Sequence, residues 1–216
     1  MGNPGSRRYF LGGLLAATML AACGRKPVVG RKIAAGATVL ALGDSLTFGT
    51  GATPETSYPT VLARLTGWNV VNAGIPGDTS AQALARLPAL LQEHAPALVL
   101  VGIGGNDLLR RLPEADTRAQ LQRAVELSRA AGAQVLLIAV PRPSAAAAFT
   151  GSLTDHPLYA EVAEALRVPL HRQGWSEVLS DATLRSDPIH ANAAGYAAFA
   201  QGLVATARAT GLLPRR

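Results

Sequence analysis

Four apolar runs of strand length punctuate this chain, and each stops at a glycine or a proline. Thr38–Leu42 runs into Gly43, Val70–Ala73 into Gly74, Ala97–Val101 into Gly102 and Gln134–Val140 into Pro141. The runs are nearly continuous in apolar residues rather than alternating, the pattern of strands covered on both faces. Val168–Leu170 is a candidate short fifth. Helical patterns fill the intervals. Ser57 is placed to cap one helix, with Pro59 in its first turn and Gly67 at its end. A second covers Thr79 to His94, where Pro88 is expected to kink or restart it. A third runs from about Glu114 to Ala131 and stops at Gly132. A fourth covers roughly Leu158–Arg167, and the last about Ala191–Thr210. Strands alternating with helices at this spacing predict βαβ units with right-handed crossovers. The fold class is α/β, one three-layer α/β/α domain around a parallel sheet of about five strands.

The 216 residues are 49% hydrophobic and 16% charged, a globular composition large enough for a full core. The formal net charge is +6, carried by scattered arginines rather than runs, so no nucleic-acid stripe is visible. The first 22 residues read as a leader outside the fold. Arg7-Arg8 precede an apolar stretch, as in a twin-arginine-like secretory signal. Leu20-Ala21-Ala22-Cys23 looks like a bacterial lipobox, with Cys23 lipidated as the mature N-terminus. Cys23 is the only cysteine, so no intrachain disulfide can form. Residues 23–36 are then the lipidated N-terminus and a basic, glycine-containing tether, and 37–216 the folded domain. The expected location is the bacterial envelope or periplasm, on a membrane anchor.

Ligands of open parallel sheets bind beyond the carboxyl ends of the strands. Three polar, glycine-rich segments follow the first three runs: Gly43-Asp44-Ser45-Leu46, Asn72 to Ser80, and Gly102 to Asp107. Ser45 is a candidate nucleophile there, and alone it decides nothing. Of the four histidines, His94, His156 and His171 suit ordinary structural roles. His190 follows Asp187 by three residues in a loop before the last helix, close enough for the carboxylate to fix the tautomer of the ring. D-x-x-H by itself is a weak signal. No G-x-S-x-G elbow, P-loop or H-E-x-x-H occurs, and Gly102-x-Gly104 lacks the third glycine of a dinucleotide fingerprint. No metal or cofactor is expected.

Taken in order, Gly43-Asp44-Ser45-Leu46, Gly74 after Asn72, Gly104-Gly105-Asn106-Asp107 and Asp187-x-x-His190 resemble the four sequence blocks of the SGNH (GDSL-type) hydrolases. Within that family the chain is most similar to the periplasmic thioesterase/arylesterase/lysophospholipase group, through "NAGIPGDTSAQALARLPALL" and "VLVGIGGNDLLR". Pro188 departs from the glycine often found there. The resemblance implies a flavodoxin-like sheet, Ser45 as nucleophile, His190 as base and then acid, and Asp187 as the orienter of His190. It implies an oxyanion hole from the N–H groups of Ser45 and Gly74 and the amide of Asn106. Asp44 and Asp107 are expected to hold their loops through backbone N–H groups, and Gly49 and Gly51 to serve only loop flexibility. The implied activity is hydrolysis of short- to medium-chain acyl esters by a monomer, with thioesters and lysophospholipids in the group's range. Two other readings stay open: an O-deacetylase of carbohydrate or cell wall, and a non-catalytic acyl-binding lipoprotein.

Overall fold

Residues 1–2, 28–143 and 152–215 are described by the structure, a computed structural model. Five parallel strands form its sheet: β1 (Thr38–Gly43), β2 (Asn69–Gly74), β3 (Leu98–Gly102), β4 (Gln134–Ile138) and β5 (Leu170–His171), in the order β2-β1-β3-β4-β5. In register, Val39 faces Val70 on one side and Leu98 on the other. The central β1 and β3 are buried almost throughout. β2 is an edge strand, and Val70 and Val71 are only half-buried there, less covered than a continuous apolar run suggests.

Eight α-helices surround the sheet among the described residues: α1 (Ser45–Phe48), α2 (Tyr58–Thr66), α3 (Ser80–His94), α4 (Gly105–Leu109), α5 (Glu114–Ala130), α6 (Pro157–Leu166), α7 (Gly174–Ser180) and α8 (Ala193–Ala209). α2, α7 and α8 pack together, as do α3, α5 and α6. Right-handed crossovers put these groups on opposite faces, because β2 lies to one side of β1 and β3 to the other. This reversal makes the carboxyl ends of β1 and β3 the switch point where a crevice must open.

Local chemistry accounts for most boundaries. Gly67 ends α2 at φ 73°, a conformation that costs glycine little. Thr79 and Gln82 form a reciprocal capping box at the start of α3. Ser57 does not cap α2; its hydroxyl donates to Pro54 O at 2.8 Å. α3 runs unbroken through Pro88 and packs against α5. The short α1, α4 and α7 lie in segments too brief to show a helical period.

Gly30 N–H donates to Thr210 O at 2.7 Å, and Ile33 N–H to Leu212 O at 2.9 Å. Ile33 is buried. The described part of the expected tether therefore lies on the domain rather than hanging from it. The leader beyond Gly2 and Cys23 fall outside the described residues.

The α2/α7/α8 layer is joined by aromatic rings. Trp175 and Phe199 stack with centroids 3.6 Å apart and planes 8° apart, and Tyr58 meets Phe199 edge-on at 5.0 Å. His171 lies at the border of this cluster, buried, with Nδ1 2.7 Å from Thr206 Oγ1. Burial pushes its pKa down to about 4, with Asp155 opposing. An unfolded imidazole titrates near ~6.5. Between those values the unfolded chain binds more protons, so stability is lost as pH falls through the window, by roughly 3 kcal/mol. His171→Gln is expected to remove this contribution. Thermal melts between pH 7 and 4 should then show a shallower loss of Tm than in the parent.

Candidate active site

Gly43 ends β1 at a place where no side chain fits. A Cβ there would collide with Thr47 and with the carbonyl oxygen of Gly102. The chain turns at once into α1, with Asp44 at the cap and Ser45 as its first residue. Asp44 Oδ1 accepts Leu46 N–H at 3.0 Å. Burial raises the Asp44 pKa to about 6, against the pull of the Leu46 N–H and the charge of His190. Being the first helical residue, Ser45 has no intrahelical partner for its N–H.

The loop before α8 brings the second set of groups. His190 Nε2 lies 3.0 Å from Ser45 Oγ, and its Nδ1 lies 2.7 Å from Asp187 Oδ2. Asp187 Oδ1 accepts the N–H groups of Ile189 at 2.8 Å and His190 at 2.9 Å. One carboxylate thus shapes the turn with one oxygen and orients the ring with the other. Burial raises the Asp187 pKa, but the bonds from the His190 ring and the Ile189 N–H outweigh it and hold the carboxyl below its usual range. Pro188 fits this turn without disturbing either partner.

Gly51 does more than loosen a loop. It has φ +90°, and a Cβ there would collide with Ser186 and with Ala191 O, so the segment after α1 lies directly against the His190 loop. Tyr196 Oη reinforces this by donating to Thr50 O at 2.7 Å.

The expected oxyanion donors separate. Asn106 lies on the wall of the same cavity as Ser45 and His190. Its Nδ2 donates to Asp78 O at 3.0 Å and stands 3.5 Å from Asp44 Oδ2. Gly74 does not fit the expectation. Its N–H is already given to Asn72 Oδ1 at 3.0 Å. It is absent from the cavity wall, and its missing side chain makes room for the backbone of Phe48. Gly77, three residues on, does line the cavity. It has φ +84°, and its N–H has no hydrogen-bond partner among the described residues. The signal for Gly77 was the Pro76-Gly77 pair, which marks a turn with positive φ at the glycine.

Residues that spacing did not reveal brace this edge. Arg86 of α3 donates from Nε to Asp78 Oδ2 and from a terminal nitrogen to Gly43 O, both at 2.9 Å. It ties the strand end before Ser45 to the loop whose Asp78 carbonyl holds Asn106. Asp107 accepts Ser80 N–H at 2.8 Å and the Ser80 hydroxyl at 2.5 Å, locking α4 to the start of α3. Asp44 and Asp107 hold their loops through backbone N–H groups, as their positions suggested.

The other histidines are spread out. His94 ends α3, and His171 is in the core. His156 accepts Leu158 N–H on its Nδ1 at 3.3 Å, which caps α6, yet it also faces the cavity. Burial lowers its pKa. Among the described residues no group of three metal-ligating side chains converges, and no helix is long and apolar enough to cross a membrane.

The cavity measures about 760 Å³. Ser45, His190, Asn106 and Gly77, whose N–H is free among the described residues, share a wall that is otherwise mostly apolar. That combination suits addition of an oxygen nucleophile to an acyl carbon. Comparison with known proteins agrees. Residues 41–198 match the GDSL-like lipase/acylhydrolase family. The chain is 37% identical over 166 residues to thioesterase 1/protease 1/lysophospholipase L1 of Escherichia coli strain K12, covering 74% of this chain and 78% of that protein. It is 42% identical over 115 residues to the esterase TesA of Pseudomonas aeruginosa, 51% of this chain and 57% of that one. A crystal structure of TesA superposes with a TM-score of 0.72 at 32% identity, covering 80% of this chain and 99% of that chain. The esterase EstA from Pseudoalteromonas, in a structure inhibited by monoethylphosphonate, gives 0.69 at 25% identity, covering 80% and 97%. The fold and these relatives define a serine hydrolase acting on ester bonds. The chain belongs to the GDSL-like lipase/acylhydrolase family, the SGNH hydrolases.

Removing Arg86 should loosen the Asp78–Asn106 contact without touching the Ser45 side chain. Arg86→Met is expected to lower kcat for a soluble ester about tenfold, since small misplacements of an oriented group are costly, with KM little changed. Steady-state kinetics normalised by active-site titration checks this.

Proposed function

We propose that this protein is an exported, lipid-anchored serine esterase that cleaves short- to medium-chain acyl esters as a monomer. Ser45 is the nucleophile, His190 the general base and Asp187 the residue that orients it. The observation that carries this reading is the unbroken line from Asp187 Oδ2 to His190 at 2.7 Å and from His190 to Ser45 Oγ at 3.0 Å.

The chemistry follows from that line. His190 Nε2 takes the Ser45 proton as Oγ bonds to the acyl carbon and the carbonyl electrons move onto oxygen. The oxyanion is met by the N–H groups of Ser45 and Gly77 and by the Asn106 amide; Gly77 replaces Gly74, whose N–H is engaged elsewhere. Asp187 steadies the imidazolium. His190 returns the proton to the departing alkoxide as the C–O bond breaks. Water then repeats the sequence on the acyl-enzyme and releases the acid.

An apolar cavity of about 760 Å³ supports acyl chains as substrates more than the small acetyl group of a deacetylase. The thioester and lysophospholipid activities in the names of the relatives extend the same chemistry to related leaving groups. Ser45→Ala is expected to lower kcat on a p-nitrophenyl ester series by more than about 10³-fold and to abolish labelling by a fluorophosphonate probe. Equal rates in the two proteins would overturn the assignment. Export and anchoring are supported by Arg7-Arg8, the apolar stretch and the Leu20–Cys23 sequence. Mass spectrometry of the mature protein should find a diacylglyceryl-modified Cys23 at its N-terminus.

A further inference from the structure

Large apolar side chains are exposed in one region. Beyond the N-terminal arm, six are exposed among the described residues: Phe48, Leu65, Ile75, Leu109, Leu112 and Ile189. All but Leu65 stand on the segments around the cavity mouth. Phe48 ends α1, Ile75 follows β2, Leu109 and Leu112 flank the end of α4, and Ile189 precedes His190. Each is between 42% and 52% exposed.

These segments touch one another. The Phe48 backbone abuts Gly74, next to Ile75. Arg110, beside Leu109, donates to Gly77 O at 2.9 Å. Leu109 and Ile189 share the cavity wall. The apolar residues therefore form a rim rather than scattered points, and such clustering marks an interaction surface. Arg111 and Arg142 also border the cavity, and neither makes an ion pair among the described residues. Asp187, the acid of the rim, is already bound to His190. An apolar ring with unpaired cations has the chemistry of a surface that inserts at a lipid interface beside anionic headgroups.

We propose that this rim docks on an anionic phospholipid surface, with the cavity mouth facing the lipid. Resting on the assignment of Ser45 as the nucleophile, acyl chains then enter the cavity from the lipid phase rather than from water.

Docking is tested without catalysis, in the full-length chain with phosphatidylglycerol vesicles carrying brominated acyl chains. Trp68 and Trp175 are buried, so a new surface tryptophan reports separately. With Phe48→Trp, emission is expected to shift to the blue and be quenched. With Leu65→Trp, near the end of α2 that leads into the amino end of β2 and so away from the cavity mouth, it is expected to do neither, even though the N-terminal segment is the same. Equal quenching in both variants, quenching in neither, or equal quenching in phosphatidylcholine vesicles overturns the proposal. So does a dimer that buries Trp at position 48 in lipid-free solution, seen as concentration-dependent elution and emission.

A second measurement reads function. Phe48→Ser/Ile75→Ser/Leu112→Ser is expected to lower hydrolysis of an ester dispersed in the anionic vesicles by about tenfold, as three interfacial side chains are lost. Hydrolysis of a water-soluble ester should stay unchanged. An equal effect on both substrates overturns the proposal. If Ser45 is not the nucleophile, Ser45→Ala leaves both rates intact while the fluorescence result stands on its own.

Discussion

The contact between Ser45 and His190 joins residues 145 apart in sequence, and much of the architecture serves to make it. Neither residue can reach the other locally. Ser45 is fixed by β1, which is buried at the sheet centre. His190 is fixed by a loop that leads into α8, whose place depends on the aromatic stack of Trp175, Phe199 and Tyr58. Two close approaches finish the alignment. Tyr196 bonds Thr50, and Gly51 lets the chain after α1 lie against Ser186 and Ala191. The rigidity of the α2/α7/α8 layer is therefore transmitted to a 3.0 Å distance between two side chains.

What the sequence made legible depended on how local the determinant was. Strand positions could be read because a short, continuous apolar run that stops at a glycine suits a strand covered on both faces and is too short for a buried helix. Asp187 and His190 could be linked because three residues span one turn. Gly74 misled for the opposite reason. A glycine after a strand is either a donor to a ligand or a site of close backbone approach, and only the three-dimensional neighbours decide. At Gly74 the neighbours are Asn72 and Phe48, which use up both its N–H and its open side. Arg86 was invisible because its partners, Asp78 and Gly43, are 8 and 43 residues away. An arginine in an amphipathic helix gives no sign that it points at a strand end.

The described part of the expected tether, residues 28–36, is placed on the domain by a similar non-locality. A basic, glycine-containing segment reads as a linker by composition. Here Gly30 and Ile33 find carbonyl partners at the far end of the chain, on Thr210 and Leu212, and Ile33 adds a buried side chain. Composition reports how readily a segment can stay solvated. It does not report whether a complementary groove exists elsewhere.

The two acidic side chains beside the reacting groups are driven in opposite directions by their surroundings. Asp44 is buried, and burial raises it to about 6. Asp187 is part-exposed, and its hydrogen bonds from His190 and Ile189 hold it low. On the proposed mechanism, a negative charge held at Asp187 favours the imidazolium formed when Ser45 gives up its proton. Environments that push neighbouring carboxyls apart are a general mark of acid–base sites. In this fold the separation arises from position alone: Asp44 lies under the first turn of α1, whereas Asp187 lies on a surface turn that it caps itself.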